Sequence, residues 1–361
     1  MTTFGSLIRS YRLRAGLGLR TFATLIDERA SVVSAIESGR RAPWRSSATL
    51  HRVVEVLGLV ESSNLWQKIL ELAHEGAKTP LPLETEGSLA WWWRTEEAPE
   101  LDAPTLAELA TFVGATIDFD RDEQQQQTPA PLTELAIEWR VRRLLGRREV
   151  QVATAPVDVE AALENEACVQ LEIVPGLIPR FSVQACVVAT SGGLTLFIDR
   201  IVADSRPMAS YRHLLALSFA PSALWQADTT WHAAHFRQLQ ATGDWPGHLR
   251  DCERFALAML LPANPVLAGA ETAYVELIQQ QDRQQQGWIE LDDATRTLRN
   301  RLAEQFAVPP SLVHRRLVSW PCHLYGRIAQ ALAAEEPTLP PLDWLVPEKA
   351  PRQQTLFEMS R

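Results

Sequence analysis

Residue types able to do chemistry cluster in a few stretches of this chain. The segment Tyr211-Arg212-His213-Leu214-Leu215-Ala216-Leu217-Ser218-Phe219-Ala220-Pro221 joins a cation, an imidazole and a hydroxyl on one apolar helix-like run. Ser218 and His213 stand five apart, so on a helix the hydroxyl and its would-be base do not face one another. His232 and His235 form an i,i+3 pair that could hold a metal, with Asp244 and His248 downstream. Among Trp231, Phe236 and Trp245 they read instead as packed or surface histidines. Asp251 and Glu253 read as solvated carboxylates. Cys168, Cys186, Cys252 and Cys322 are scattered with no Cys-x-x-Cys pair, which points to reduced, buried thiols. No glycine-rich phosphate loop occurs. The other concentrated chemistry is electrostatic. Residues 1–57 carry nine arginines against Asp27, Glu28, Glu37 and Glu55, a local charge of +5 in a chain whose net charge is −9. A basic head on an acidic body is the pattern of a segment that meets a polyanion.

Elements must position these groups. At 361 residues the chain is long enough for two or three domains of about 100–200 residues each. It is 46% hydrophobic and 22% charged, a globular balance. No apolar run reaches the roughly 20 residues of a membrane span, and the first residues lack a signal pattern, so a cytoplasmic protein with no membrane partner is expected. Residues 4–58 show helical spacing throughout: Leu7, Ile8 and Tyr11; Leu19, Phe22, Ala23 and Ile26; Val32, Val33 and Ile36; Leu50, Val53, Val54 and Leu57. Gly16 and Gly18 separate the first two stripes, and Ser38-Gly39 ends the third.

This head resembles the XRE/Cro helix-turn-helix group. The resemblance is carried by Ile8-Arg9-x-x-Arg12, Leu19-x-x-Phe22-Ala23 and Val33-Ser34-Ala35-Ile36-Glu37-Ser38-Gly39-Arg40, with Pro43 and Leu50…Leu57. Ala23 is small where two helices cross, and Glu37 is placed to pair with Arg12. The resemblance implies that Arg29, Ala30, Ser31, Ser34 and Ala35 face the DNA groove, and that Arg20, Arg40 and Arg41 hold phosphates. Asp27 and Glu28 depart from the group, which usually has Gly and an apolar residue at this turn.

Residues 61–131 read as a helical, Trp-rich connector. Trp91-Trp92-Trp93 fills a gap between domains, and Gln124-Gln125-Gln126-Gln127 ends in a proline-rich linker. A second Gln-rich stretch, residues 279–286, reads as a solvated surface. Residues 132–320 then alternate: a helix over 135–145, strands over 169–174, 184–190 and 194–199 with Gly192-Gly193 as a hairpin turn, and two apolar helices. This order resembles the ImmA/IrrE family of zinc-dependent endopeptidases. Arg212 and Ala216 match its metal helix, and Phe255, Ala256, Leu260, Leu261 and Pro262 follow its second helix. The family's two ligand histidines fall on Leu217 and Pro221, its general-base Glu on Ser218 and its third ligand on Leu249. A catalytic zinc needs three protein ligands, an open position and a base, and these residue types supply none. Pro221 is also expected to cut the helix.

The expected architecture is mostly α with a small α+β part. It runs as an all-α helix-turn-helix bundle over 1–60, the connector over 61–131, a zincin-like α+β pseudo-peptidase domain with a short sheet over 132–320, and an extension over 321–361. The expected function is a DNA-binding transcriptional regulator with a catalytically inactive peptidase-like sensor or docking domain. It takes no metal and no cofactor, and it sits as a homodimer on operator double-stranded DNA. A protein partner or small effector would bind the former cleft. The alternative is an interaction subunit, antitoxin-like, of phage-defence type or a complex component, that uses the helix-turn-helix for assembly. An active metallopeptidase cleaving a repressor or antitoxin is the third possibility, and it requires a bound zinc.

Overall fold

The computed structural model describes residues 3–59, 64–75, 87–95, 100–117, 132–146, 156–167, 169–190, 193–225, 245–284, 289–319 and 321–340. The described chain is mostly helical, with one small four-stranded mixed sheet. In chain order the helices are α1 (Phe4–Arg14), α2 (Leu19–Leu25), α3 (Ala30–Glu37), α4 (Ser47–Val56), α5 (Asn64–Glu75), α6 (Ala103–Phe112), α7 (Glu134–Leu145) and α8 (Val159–Glu166). They continue as α9 (Leu177–Phe181), α10 (Arg200–Ser205), α11 (Met208–Trp225), α12 (Trp245–Leu260), α13 (Ala263–Gln284), α14 (Leu291–Gln305), α15 (Pro310–Val318) and α16 (Leu324–Ala333). The strands are β1 (Gly87–Arg94), β2 (Gln170–Val174), β3 (Val183–Thr190) and β4 (Gly193–Asp199).

The chain forms two compact units. The first takes residues 1–129 and 158–246, the second residues 130–157 and 247–361. This differs from the expected serial layout in two places: β1 lies in the stretch assigned to a helical connector, and residues 158–246 join the N-terminal head. The physical reason is the sheet, whose order is β1-β3-β4-β2. β1 pairs antiparallel with β3 along its length, from Gly87 opposite Thr190 to Arg94 opposite Val183. The triple tryptophan therefore belongs to an edge strand. Adjacent residues of a strand face opposite sides, and Trp91 and Trp92 are both buried. β3 and β4 pair antiparallel out to Thr190 opposite Gly193, and β2 runs parallel to β4.

In the first unit the head is a helical cluster. Thr3 and Ser6 form a capping box at α1, and Ser46 caps α4. Ile8, Phe22, Val33, Ile36 and Val53 fill its core. Gly5 permits the close crossing of α1 over α3, because a Cβ there would lie 2.1 Å from the Ile36 carbonyl oxygen. Asp27 takes φ +60°, the left-handed turn that glycine usually fills and that Asp tolerates through its short polar side chain. Asp199 organises the end of β4. Its carboxylate accepts from the Gly176, Ile178 and Ile201 amides at 3.2, 3.1 and 2.7 Å.

The described residues of the second unit are helical. Within it Arg316 is buried; its guanidinium forms a two-pronged pair with Glu138 at 2.5 and 2.8 Å and donates to the Leu261 carbonyl at 2.8 Å. α13 ends at Gln284, with Gln279 and Gln280 exposed. Among the described residues no single helix is long and apolar enough to cross a membrane; the bent pair Pro246–Leu260 and Ala263–Gln281 passes that test only together.

Candidate functional site

The head meets the sheet through its basic residues, and the partners are carboxylates from farther along the chain. Arg12 is fully buried. Its guanidinium donates to both Glu37 oxygens at 2.8 Å and to both Glu164 oxygens at 2.6 and 3.0 Å. Burial alone would push this guanidinium down; Glu37 and Glu164 together outweigh that and hold it well above its ordinary value. The Arg12–Glu37 pair is the one expected from the helix-turn-helix pattern. Glu164, on α8, is an addition. Arg9 also reaches Glu164, at 3.2 Å.

The start of α2 is held the same way. The Gly18 amide and the Thr21 hydroxyl both donate to Asp158 at 3.0 Å, and the Arg20 amide donates to Glu160 at 2.6 Å. A Cβ on Gly18 would sit 2.3 Å from the Asp158 carboxylate, so this contact needs glycine. The Arg20 guanidinium donates to the Arg206 carbonyl at 2.6 Å and lies 5.0 Å over the Tyr211 ring.

The residues expected to face DNA divide into two sets. Ser31, Ser34, Arg20 and Arg40 point into the unit. The Ser31 amide and hydroxyl donate to Asp204 on α10 at 3.2 and 2.7 Å. Arg29, at the N-cap of α3, provides no side-chain cap, so Asp204 supplies the anion that a helix N-terminus favours. Ser34 is buried, and its hydroxyl accepts from the Ile173 amide at 2.9 Å. Arg40 donates to the Ile173 carbonyl at 3.2 Å and pairs with Glu172. Ile173 lies on β2, an edge strand with unpaired backbone groups. The head therefore closes a sheet edge that would otherwise be open. Ala30 is buried and Ala35 half-buried. Arg29 and Arg41 are exposed. Expecting all six polar positions to face a duplex overlooked these partners: Asp204, Glu172 and Ile173 lie more than 130 residues downstream, and no local pattern announces them.

The helix resembling a metal helix is α11. It runs unbroken from Met208 to Trp225 with Pro221 inside, so the expected interruption does not occur. Proline deprives the carbonyl four residues earlier of its donor and crowds it, which opens that turn. Next to that turn, Trp91 donates its indole N–H to the Ser218 carbonyl at 2.7 Å. Ser218 is fully buried, Pro221 is buried and Leu217 half-buried. The Ser218 and Ser222 hydroxyls have no hydrogen-bond partner among the described residues.

Leu249 is half-buried and belongs to the second unit, whereas Leu217, Ser218 and Pro221 belong to the first. These side chains do not fit a zinc ion: two leucines and a proline offer no donor atom, and the Ser218 hydroxyl alone is far short of the three protein ligands a catalytic zinc needs. Among the described residues no three His, Cys, Asp or Glu side chains gather as a metal site would require. Asp251 is buried, not solvated; it accepts from the Leu132 amide at 3.3 Å and pairs with Arg254 at 3.6 Å. Glu253 pairs with Arg315 at 3.2 Å. His232, His235 and Asp244 lie outside the described residues. Cys186, Cys252 and Cys322 are buried free thiols, and burial pushes all three up, Cys322 to about 11. No protein-family model, no curated protein and no solved structure matches this chain.

Proposed function

We propose that this chain is a non-enzymatic interaction protein in which a helix-turn-helix head serves as an assembly element built onto a peptidase-like frame. One observation carries the reading. The α3 face that reads bases in helix-turn-helix domains engages Asp204 and Ile173 of its own unit through Ser31 and Ser34, and Arg40, just past the end of α3, engages Glu172. The +5 head thereby meets the internal carboxylates Asp158, Glu164, Glu172 and Asp204, beside the buried Glu160. Side chains at the four positions matching the peptidase site offer no metal ligand and no base, so the frame binds and does not cut.

A second reading, the operator-binding regulator, draws on Arg29 and Arg41, which stay exposed. With Ser31 and Ser34 engaged, these two arginines reach phosphates and not base edges, and phosphate contacts carry no sequence information. Fluorescence anisotropy with a labelled duplex from the chain's own upstream region, beside a scrambled duplex, separates the two readings. At physiological salt the two duplexes should bind equally and weakly, in the non-specific range of about 10⁻⁴–10⁻⁶ M. A preference of roughly 10³-fold or more for the upstream duplex, typical of specific readers, sinks the assembly reading. Purification from the native host adds the positive arm: a stoichiometric protein partner and no DNA.

A further inference from the structure

Of the buried carboxylates at the junction between the head and the sheet, Glu160 is the one with no ion pair among the described residues; Asp158 and Asp204, tied to amides and hydroxyls, are half-buried. Asp158 is tied to the Gly18 amide and the Thr21 hydroxyl, Glu164 to Arg9 and Arg12, and Glu172 to Arg40. Glu160 is buried on α8, where one oxygen accepts the Arg20 amide at 2.6 Å and the other contacts the Tyr211 hydroxyl. The elements packed against α8 are α1, α2, α11 and β2; their charged or titratable residues are Arg9, Tyr11, Arg12, Arg14, Arg20, Tyr211, Arg212, His213 and Glu172, and of these the Arg20 amide and the Tyr211 hydroxyl touch Glu160. Asp158 and Glu164 are its own neighbours. The Arg20 guanidinium is turned away to the Arg206 carbonyl and the Tyr211 ring. Among the described residues no Lys, Arg or His side chain makes an ion pair with Glu160. A buried carboxyl between two other carboxylates and without a cation is stabilised by holding its own proton.

We propose that Glu160 is a proton-operated latch: while it carries a proton the head stays clasped at the α2–α8–α11 junction, and losing that proton loosens the clasp. The junction geometry stands whether or not the head ever meets nucleic acid. Burial, then Asp158, lifts the Glu160 carboxyl to about 8, while the Tyr211 hydroxyl pulls the other way. Burial and then Glu160 push Tyr211 itself well up, so Tyr211 keeps its proton and can donate to the anion when it forms. The folded chain therefore holds a proton that the unfolded chain releases. Clasp stability falls as pH rises from the ordinary Glu range through about 8, and levels off above it.

Hydrogen exchange of the α2 and α3 amides in the full chain, divided by the intrinsic rate at each pH, reads this directly. Between about pH 6 and about pH 9, protection in the native protein should drop on the order of ten-fold or more. Glu160→Gln, which keeps a neutral side chain of the same shape, should remove that drop. Tyr211→Phe, which deletes the only side-chain donor to the anion among the described residues, should keep the drop and move its midpoint to higher pH. A native profile that is flat over this range overturns the latch, as does an unchanged drop in Glu160→Gln. If Glu160→Gln does not fold, an unmoved midpoint in Tyr211→Phe overturns it instead.

Discussion

Replacing Arg12 with methionine should lower the unfolding free energy by about 3–5 kcal/mol, the cost of breaking a buried ion cluster by removing one partner. The residue is completely enclosed and donates to Glu37, Glu164 and the Leu17 carbonyl, the last at 2.9 Å. Methionine fills most of the volume but removes the cation that the two buried carboxylates share, leaving Glu164 with Arg9 alone among the described residues. Surface arginines such as Arg296, paired with Asp293 at 62% and 55% side-chain exposure, make a control; an exposed pair of this kind contributes about 0–1 kcal/mol. Urea unfolding of the full chain, followed by circular dichroism, measures both. A further variant that also carries Glu37→Leu and Glu164→Leu should recover most of the loss, because apolar replacement of a whole buried cluster is often neutral. A loss below about 1 kcal/mol in Arg12→Met would mean that the head and α8 are not bound as described.

Arg316→Met in the second unit should cost a similar ~3–5 kcal/mol, for the same reason in a different setting. Glu138 and Arg316 are buried at 6% and 3% side-chain exposure, and the pair is two-pronged. The guanidinium also satisfies the Leu261 carbonyl, so the substitution orphans a backbone acceptor as well as a carboxylate. Glu138 holds the cation well above its ordinary value even though burial opposes this. Arg316→Lys is the informative companion. It keeps the charge but cannot reproduce the planar fork, and should fall between native and Arg316→Met. If lysine restores full stability, the geometry of the fork contributes nothing and the charge alone suffices.

Much of this molecule can be read locally, and the unreadable parts share a cause. The head's helices follow from apolar spacing, and the Arg12–Glu37 pair follows from a pattern whose two ends lie 25 residues apart. β2, β3 and β4 emerge within a residue of where their β-branched runs put them. β1 does not, because a strand buried over Leu89, Ala90, Trp91 and Trp92 lacks the alternation by which strands are recognised. A kink-prone proline predicts a broken α11, yet packing carries the helix through Pro221. At the candidate site, the residue types at Leu217, Ser218, Pro221 and Leu249 are legible without the fold, whereas the burial of Ser218 and its carbonyl's bond to Trp91 are not. What composition could not disclose is the identity of the polyanion that the basic head meets. The +5 charge is plain, but Asp158, Glu164, Glu172 and Asp204 are spread through the acidic body and acquire meaning only when β2 and α8 fold against α1–α3. Ser34 is the sharpest case: a residue type that suits a DNA contact instead satisfies a strand edge.

The docked head is therefore the claim to test, and the Ile173 amide is the most direct probe. It points to the open side of β2, and its acceptor is the Ser34 hydroxyl at 2.9 Å. Hydrogen exchange resolved to this amide should show strong protection in the native chain, falling at least about ten-fold in Ser34→Ala while amides in the β3–β4 ladder stay unchanged. An Ile173 amide that exchanges in the native chain as fast as a solvent-exposed edge, with no response to Ser34→Ala, would contradict the docked head and return the α3 face to the solvent side of the molecule.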